Sequence, residues 1–220
     1  MESYKTMKAI HRMSLATAVF LLWNALPAKA ILYLNADPNF GPNSVTVDTS
    51  TGLGWLNLTE TTGLSYNQVL AETQSGGMFS GFRFATVPEV LDLYSSAGLT
   101  ASTYGDTTRY YPVSSPLIQT FFSLIGTSGI FNGLPGVIAL SGTSTSGAYT
   151  SPSIYGWSYA QEYWVSDGSQ SAEYGATYSF PDLSSWLVES VPEPAAANFL
   201  VMAAAALCGL RLLHRKKRVA

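Results

Sequence analysis

The segment Val45-Thr46-Val47-Asp48-Thr49-Ser50-Thr51-Gly52-Leu53-Gly54-Trp55-Leu56 carries the clearest structural pattern in the chain. Residues 45–48 alternate apolar and polar side chains, which predicts a short strand with one buried face. Residues 49–52 have the composition of a turn, and residues 53–58 are predicted to form a second strand. The segment therefore predicts two neighbouring strands of a sheet.

Two patterns typical of helix starts follow these strands. Ser65 can cap a helix with Gln68 as its capping-box partner, and this helix is expected to end near Gln74. Thr86 and Glu89 form the same capping pattern, and the acidic side chain of Glu89 lies near the N-terminal end of the helix, where the helix dipole favours negative charge. Both patterns predict short helices that pack on the sheet.

A third helix is predicted over Pro116–Ile125, capped by Ser114 or Ser115. Further strands are predicted at residues 82–84, 137–140, 162–166, 174–180 and 186–189, with a loop at 141–153 and a turn-rich linker at 37–43. Helices gather in the first half and strands in the second. This order predicts a single α+β domain with an antiparallel sheet and about three helices.

The residue types missing from the central region exclude several kinds of chemistry. Between residues 31 and 191 there is no histidine, cysteine or lysine, so Ser-His-Asp, Cys-His and Schiff-base catalysis, His/Cys zinc sites and disulfides are excluded there. Two cations and twelve acids give this region a net charge of −10. Nucleic-acid binding is excluded because no basic patch exists to neutralise phosphates.

Carboxylate chemistry remains available, either as paired acids for glycoside hydrolysis or as oxygen ligands for calcium. The twelve acids are scattered singly, and residues 37–43 only loosely resemble a calcium loop, so a plain turn is the favoured interpretation. Arg83 is interpreted as a structural ion pair with Glu89 or Asp48 rather than as a ligand clamp. We therefore expect no cofactor and no metal, and no catalytic residue is assigned.

The N-terminus has the three parts of a secretory signal peptide. Three cations precede an apolar stretch over residues 13–26, namely Lys5, Lys8 and Arg12. Ala28 and Ala30 then provide the small residues that signal peptidase requires, which predicts cleavage after Ala30. A retained N-terminal anchor is the alternative. Residues 1–30 are accordingly interpreted as a signal helix and residues 31–190 as one exported ectodomain.

The C-terminus has a corresponding three-part pattern: Val191-Pro192-Glu193-Pro194, an apolar run and a cationic tail. A helix over residues 195–213 would be roughly 28 Å long, close to the thickness of a bilayer core of about 30 Å. The cationic tail favours a cytoplasmic C-terminus and contains Arg211, Arg215, Lys216, Lys217 and Arg218. Residues 191–220 are therefore expected to anchor the precursor with its body outside the cytoplasm.

This tail resembles the PEP-CTERM sorting signal of Gram-negative bacteria. The resemblance implies that exosortase, a membrane-embedded cysteine transpeptidase-like enzyme, recognises and processes the chain at or beside Val191, Pro192, Glu193 and Pro194. It also implies association with exopolysaccharide or with the outer surface of the cell. The expected partners are thus signal peptidase, exosortase and exopolysaccharide, with membrane attachment before processing.

The ectodomain resembles a module common among PEP-CTERM proteins, which is itself similar to C-type-lectin-like domains of bacterial surface adhesins. The resemblance rests on Asp48-x-x-Thr51-Gly52-Leu53-x-Trp55-Leu56, Ser65-Tyr66, Gly81-Phe82-Arg83, Ala85-Thr86 and Glu89-Val90. It implies a lectin-like fold. The chain lacks the cysteines of animal lectins and a Glu-Pro-Asn sugar motif.

Aromatic residues concentrate in a Ser/Gly-rich region of the second half. Tyr155, Trp157 and Tyr159 are the candidate ligand patch, because Tyr and Trp stack on sugar rings and hydrogen-bond at their polar edge. We therefore expect a non-enzymatic surface or matrix protein. The alternative is a secreted carbohydrate-active hydrolase that uses two of the carboxylates.

Overall fold

A computed structural model describes residues 30–103, 110–145, 147–168 and 174–191; the side chains of Thr145 and Trp157 lie outside the description. The predicted signal helix before residue 30 and the predicted membrane helix over 195–213 also lie outside the described residues. Among the described helices, none is long and apolar enough to cross a membrane. The described chain is a mixed α+β structure.

The first sheet has five strands, in the order β1-β2-β3-β14-β4. Its strands are β1 (Leu32–Asp37), β2 (Gly41–Asp48), β3 (Leu53–Leu56), β4 (Arg83–Phe84) and β14 (Leu187–Ser190). All of its strand pairs are antiparallel. The last strand of the domain therefore lies inside the sheet, between β3 and β4.

A second sheet has the order β13-β7-β10-β11-β5, with β6 paired to β7. Its strands are β5 (Tyr110–Pro112), β6 (Gly129–Phe131), β7 (Leu134–Leu140), β10 (Ser153–Trp157), β11 (Glu162–Ser166) and β13 (Leu183–Ser185). β13 runs parallel to β7, whereas the other pairs are antiparallel. The prediction of an antiparallel sheet is confirmed, with one parallel pair that it did not include.

A small third sheet has the order β12-β9-β8, from β8 (Ser144–Thr145), β9 (Ala148–Tyr149) and β12 (Tyr174–Gly175). The helices are α1 (Tyr66–Glu72), α2 (Val87–Ser96) and α3 (Pro116–Ile125), with a 3₁₀ turn at Leu58–Thr61. Three α-helices among the described residues match the number that the sequence predicts.

The predicted caps begin these helices. The Ser65 backbone N–H donates to the Gln68 side chain at 2.8 Å, and the Thr86 backbone N–H donates to the Glu89 carboxylate at 2.8 Å. Ser115 is the N-cap of α3 and Gly126 is its C-cap. Short-range hydrogen bonds that the sequence encodes within four residues therefore mark where α1 and α2 begin.

Several predicted boundaries are wrong. The linker predicted at 37–43 is the turn of the β1–β2 hairpin, where the Asp37 carboxylate accepts from the backbone N–H groups of Asn39 and Phe40 at 2.7 and 3.2 Å. The loop predicted at 141–153 contains β8 and β9. The strand predicted at 174–180 is limited to β12, and strands occupy both halves of the chain.

Two clusters of buried hydrophobic side chains lie on opposite faces of the two larger sheets, because successive residues of a strand face opposite sides. Trp55, Val137 and Val188 belong to the cluster that contains α2 and α3. Leu56 and Ile138 belong to the cluster that contains α1. Burial of these two clusters holds the fold together, as the sequence requires of a region without cysteine.

Trp186 joins the two sheets. Its backbone N–H donates to the Leu140 carbonyl and its own carbonyl accepts from Ala85, both at 2.8 Å. Its indole N–H donates to the Pro152 carbonyl at 3.0 Å, and its ring meets Trp55 and Tyr94 edge-on at 6.0 and 6.1 Å. The segment that contains β13, Trp186 and β14 thus fastens both sheets at the C-terminal end of the domain.

Candidate functional site

The predicted ligand patch lies on β10 and in the turn that follows it. Tyr155 is half-buried, and its ring stacks on Trp164 at 5.8 Å with an interplanar angle of 18°. Phe131 meets the Tyr155 ring edge-on at 6.4 Å, and burial raises the pKa of the Tyr155 phenol. One face of the Tyr155 ring is therefore covered by a protein side chain instead of being open to a sugar.

Tyr159 differs from Tyr155 because it is fully exposed, at 101%. It lies in the β10–β11 turn, which is closed by a hydrogen bond from the Gln161 side-chain amide to the Ser158 carbonyl at 2.7 Å. The backbone of Trp157 pairs with Glu162, and its side chain lies outside the description. Of the predicted patch, Tyr159 presents an open ring.

The cross-strand register creates an aromatic row that the sequence analysis missed. Trp164 lies directly opposite Tyr155 on β10 and directly opposite Tyr110 on β5. These three residues therefore share one face of the second sheet. The Trp164 indole N–H donates to the Ser102 hydroxyl at 3.0 Å, which fixes the orientation of this ring.

A second aromatic group begins on β12 and continues beyond it, and the sequence pattern did not identify it. Tyr174 and Tyr178 stack at 5.3 Å, and Phe180 lies 5.8 Å from each of them. Tyr178 is 51% exposed, whereas burial and the neighbouring Tyr155 and Tyr178 raise the pKa of Tyr174 to about 12. Tyr178 thus packs against two half-buried aromatic rings, with half of its own surface open to solvent. The alternation of aromatic residues in 174–180 was the available signal, but it was interpreted as a strand.

Glu189 and Asp48 are the carboxylates that bear on the alternative interpretation of the chain as a hydrolase. Glu189 is half-buried, and its pKa is raised by burial and by the nearby charge of Asp37. Asp48 is fully buried; its Oδ1 accepts from the Ser50 N–H and hydroxyl, and its Oδ2 has no hydrogen-bond partner among the described residues. Within the described segments, no group of three or more His, Cys, Asp or Glu side chains is placed to hold a metal ion.

Arg83 forms the ion pair that the sequence analysis favoured. Its two guanidinium nitrogens Nη1 and Nη2 donate to the Glu89 carboxylate at 3.0 and 2.6 Å. The pairing with Arg83, reinforced by Thr86, lowers the pKa of Glu89 to about 2. Arg83 therefore connects β4 to the start of α2.

Both ends of the described domain lie at one end of the first sheet, which we call the terminal pole: Ile31, the turn at 49–52 and Val191. The Ile31 carbonyl accepts from the Thr49 N–H at 3.1 Å, and the Ile31 N–H donates to the Thr49 hydroxyl at 3.0 Å. The Val191 N–H donates to the Gly52 carbonyl at 2.9 Å. The chain therefore enters and leaves the domain on the same side.

The remaining predicted site residues lie outside the described residues. They are Ala28, Pro192, Glu193, Pro194, Arg211, Arg215, Lys216, Lys217 and Arg218. Ala30 and Val191 are the first and last described residues, so the described fold occupies almost the whole of the predicted ectodomain, 31–190.

No known protein-family model matches the chain, and no curated protein and no solved structure is significantly similar to it.

Proposed function

We propose that this chain is an exported, non-enzymatic protein of the cell surface or extracellular matrix. In this proposal residues 1–30 are removed by signal peptidase, and residues 191–220 are a PEP-CTERM signal that exosortase processes. Residues 31–190 form a lectin-like ectodomain that associates with exopolysaccharide. The observation that carries the proposal is the terminal pole, because both segments assigned to the membrane leave the domain there.

The geometry of the terminal pole suits an anchored precursor. Three residues separate Val191 from the proposed membrane helix at 195, and an extended chain of that length spans about 10 Å. The terminal pole would therefore lie close to the bilayer. The exposed residues of its turn are Thr49, Ser50 and Thr51, all uncharged, and the neighbouring Asp48 is buried. An uncharged contact face limits the repulsion between an ectodomain of charge −10 and anionic lipid head groups.

The sorting step is tested by replacing Pro192-Glu193-Pro194 with three alanines in the full chain and measuring the mass of the exported form. We expect the processed form to disappear and the precursor to accumulate. The matched control replaces Ser169-Gln170-Ser171 with alanines and is expected to be processed normally. Unchanged processing of the first variant would exclude the exosortase assignment.

The exposed aromatic rings support association with a polysaccharide. Tyr159 and Tyr178 present open ring surface, and an aromatic ring can stack on the apolar face of a sugar. The negative charge of the domain favours a neutral glycan over an anionic one. The test is retention of the purified protein in gels that contain the host's exopolysaccharide. Tyr159→Ala and Tyr178→Ala are expected to reduce retention, whereas Leu117→Ala, which changes another exposed apolar residue, is not.

The alternative function is hydrolysis of a carbohydrate by Asp37 and Glu189. It is favoured by one observation, the raised pKa of Glu189, which is a property required of a general acid. Against it, one carboxylate oxygen of Asp37 is occupied by the hairpin turn. Release of reducing ends by the wild-type protein, abolished by Glu189→Gln, would favour this alternative over a binding role.

A further inference from the structure

β1 is an edge strand with exposed apolar side chains. Among the described residues its only neighbour in the sheet is β2. Ile31 is 58% exposed, Tyr33 38% and Leu34 36%. Soluble proteins protect such edges with Lys, Pro, an inward-pointing charge or a covering segment. Residues 31–36 contain no proline and no charged residue.

The hydrogen-bond register shows which backbone groups of this edge point outward. The Ile31 carbonyl accepts from Thr49, so the backbone of Ile31 faces β2. Successive residues of an antiparallel strand direct their backbone groups to alternate sides, so Tyr33 also faces β2. The N–H and C=O groups of Leu32 and Leu34 therefore point away from the sheet.

We propose that β1 pairs in antiparallel fashion with β1 of a second copy of this chain. A two-fold axis at Tyr33 places Leu32 of each copy opposite Leu34 of the other. The outward backbone groups then satisfy each other reciprocally, as a self-complementary interface requires. The two Tyr33 side chains lie directly opposite each other, a cross-strand aromatic pair of a kind that stabilises sheets.

Charge favours this partner and this orientation. The domain carries −10, so two copies repel each other over most of their surface. Asp37 is the one acidic residue of β1, which has no basic residue, and it lies at the end of the strand away from the two-fold axis. Antiparallel pairing separates the two Asp37 side chains by roughly 27 Å along the strand, whereas parallel pairing would place them side by side. Residues 31–36 are thus an uncharged segment that can pair with itself in one direction.

The proposal is tested by disulfide cross-linking in the full chain with Cys208→Ser, which removes the natural cysteine. In this background Tyr33→Cys places the two new thiols opposite each other across the two-fold axis. Oxidation with copper–phenanthroline after lysis makes the readout independent of where the protein resides. We expect a covalent dimer in at least fivefold higher yield than with the control Leu70→Cys, whose native side chain is 40% exposed on α1.

Two second-site variants separate pairing from chance collision. Leu34→Pro removes an outward N–H and leaves the hydrogen bonds to β2 intact, and Leu34→Lys adds a charge while keeping the backbone donor. Each is expected to lower the dimer yield of Tyr33→Cys at least fivefold without changing the melting temperature by more than a few degrees. An equal yield for Tyr33→Cys and Leu70→Cys would overturn the proposal. So would a yield that survives both Leu34 changes, or an adduct whose mass is not twice that of the chain.

Discussion

The contact between Arg83 and Glu89 is expected to raise the free energy of unfolding by an amount that can be measured. The Glu89 carboxylate accepts from two guanidinium nitrogens of Arg83 and from the Thr86 N–H and hydroxyl, at 2.6 to 3.0 Å. Lowering its pKa from 4.5 to about 2 corresponds to about 3 kcal/mol at about 1.4 kcal/mol per pKa unit. The Arg83 side chain is 53% exposed, so screening by solvent reduces the stabilisation to about 1–2 kcal/mol.

This stabilisation requires an ionised Glu89. Because the folded-state pKa is below the unfolded one, the contribution is complete above pH 4.5 and is lost as the pH falls towards 2. Glu89→Gln should therefore lower the free energy of unfolding by about 1–2 kcal/mol at pH 7, equivalent to roughly 2–8 °C in melting temperature. The difference between variant and wild type should shrink between pH 4.5 and pH 2.

The assay is thermal unfolding followed by tryptophan fluorescence at pH 7, 4, 3 and 2. The control is Glu60→Gln, the same chemical change at an exposed carboxylate, which should alter the unfolding free energy by less than about 0.5 kcal/mol. If Glu89→Gln and Glu60→Gln gave the same melting temperature at pH 7, the stabilising role assigned to this ion pair would be refuted.

Three further substitutions test the packing of the domain by urea unfolding. Gly54→Ala places a Cβ 2.8 Å from the Val191 Cγ2 and 3.0 Å from the Val45 Cγ1, so the free energy of unfolding should fall by about 1–3 kcal/mol. The control Gly175→Ala has open space around the new Cβ and should leave the stability unchanged. Thr61→Val removes the hydroxyl that accepts from the buried Ser185 N–H at 2.9 Å, so the free energy of unfolding should fall by about 1–3 kcal/mol. The control Thr51→Val, at an exposed position, should cause no measurable change. Trp186→Phe leaves the Pro152 carbonyl without its indole donor and should lower the free energy of unfolding by at least about 1–3 kcal/mol. A urea-unfolding curve identical to that of the wild type would show that this bond does not hold the sheets together.

The elements predicted correctly are those whose signals are local. Ser65 with Gln68, and Thr86 with Glu89, form their hydrogen bonds within one helical turn, so the sequence alone locates α1 and α2. The β2–β3 pair was likewise predictable, because a turn of four residues separates two short apolar segments. The ion pair between Arg83 and Glu89 was one of two predicted partners.

The elements that were missed depend on contacts distant in sequence. β10 contains Ser153 and Gly156, a composition typical of loops, yet Gly156 is required because a Cβ there would lie 2.5 Å from the Leu134 Cβ. The insertion of β14 between β3 and β4 joins strands more than 100 residues apart. Local propensity carries no information about such pairings.

The candidate site was predicted only in part for the same reason. Composition indicates where the aromatic residues concentrate along the chain, but the exposure of each ring depends on the register between strands. Tyr155 is covered because Trp164 lies opposite it on β11, whereas Tyr178 is open because it follows a turn over Tyr174. No pattern within one strand distinguishes these two tyrosines.

The most direct test of the proposed export and processing is the intact mass of the mature protein, recovered from the cell surface or the medium after expression of the unmodified full-length chain. The proposed processing predicts a species that begins at Ile31 and ends between Val191 and Pro194. Recovery of the unprocessed chain of 220 residues from the cytosol would contradict it.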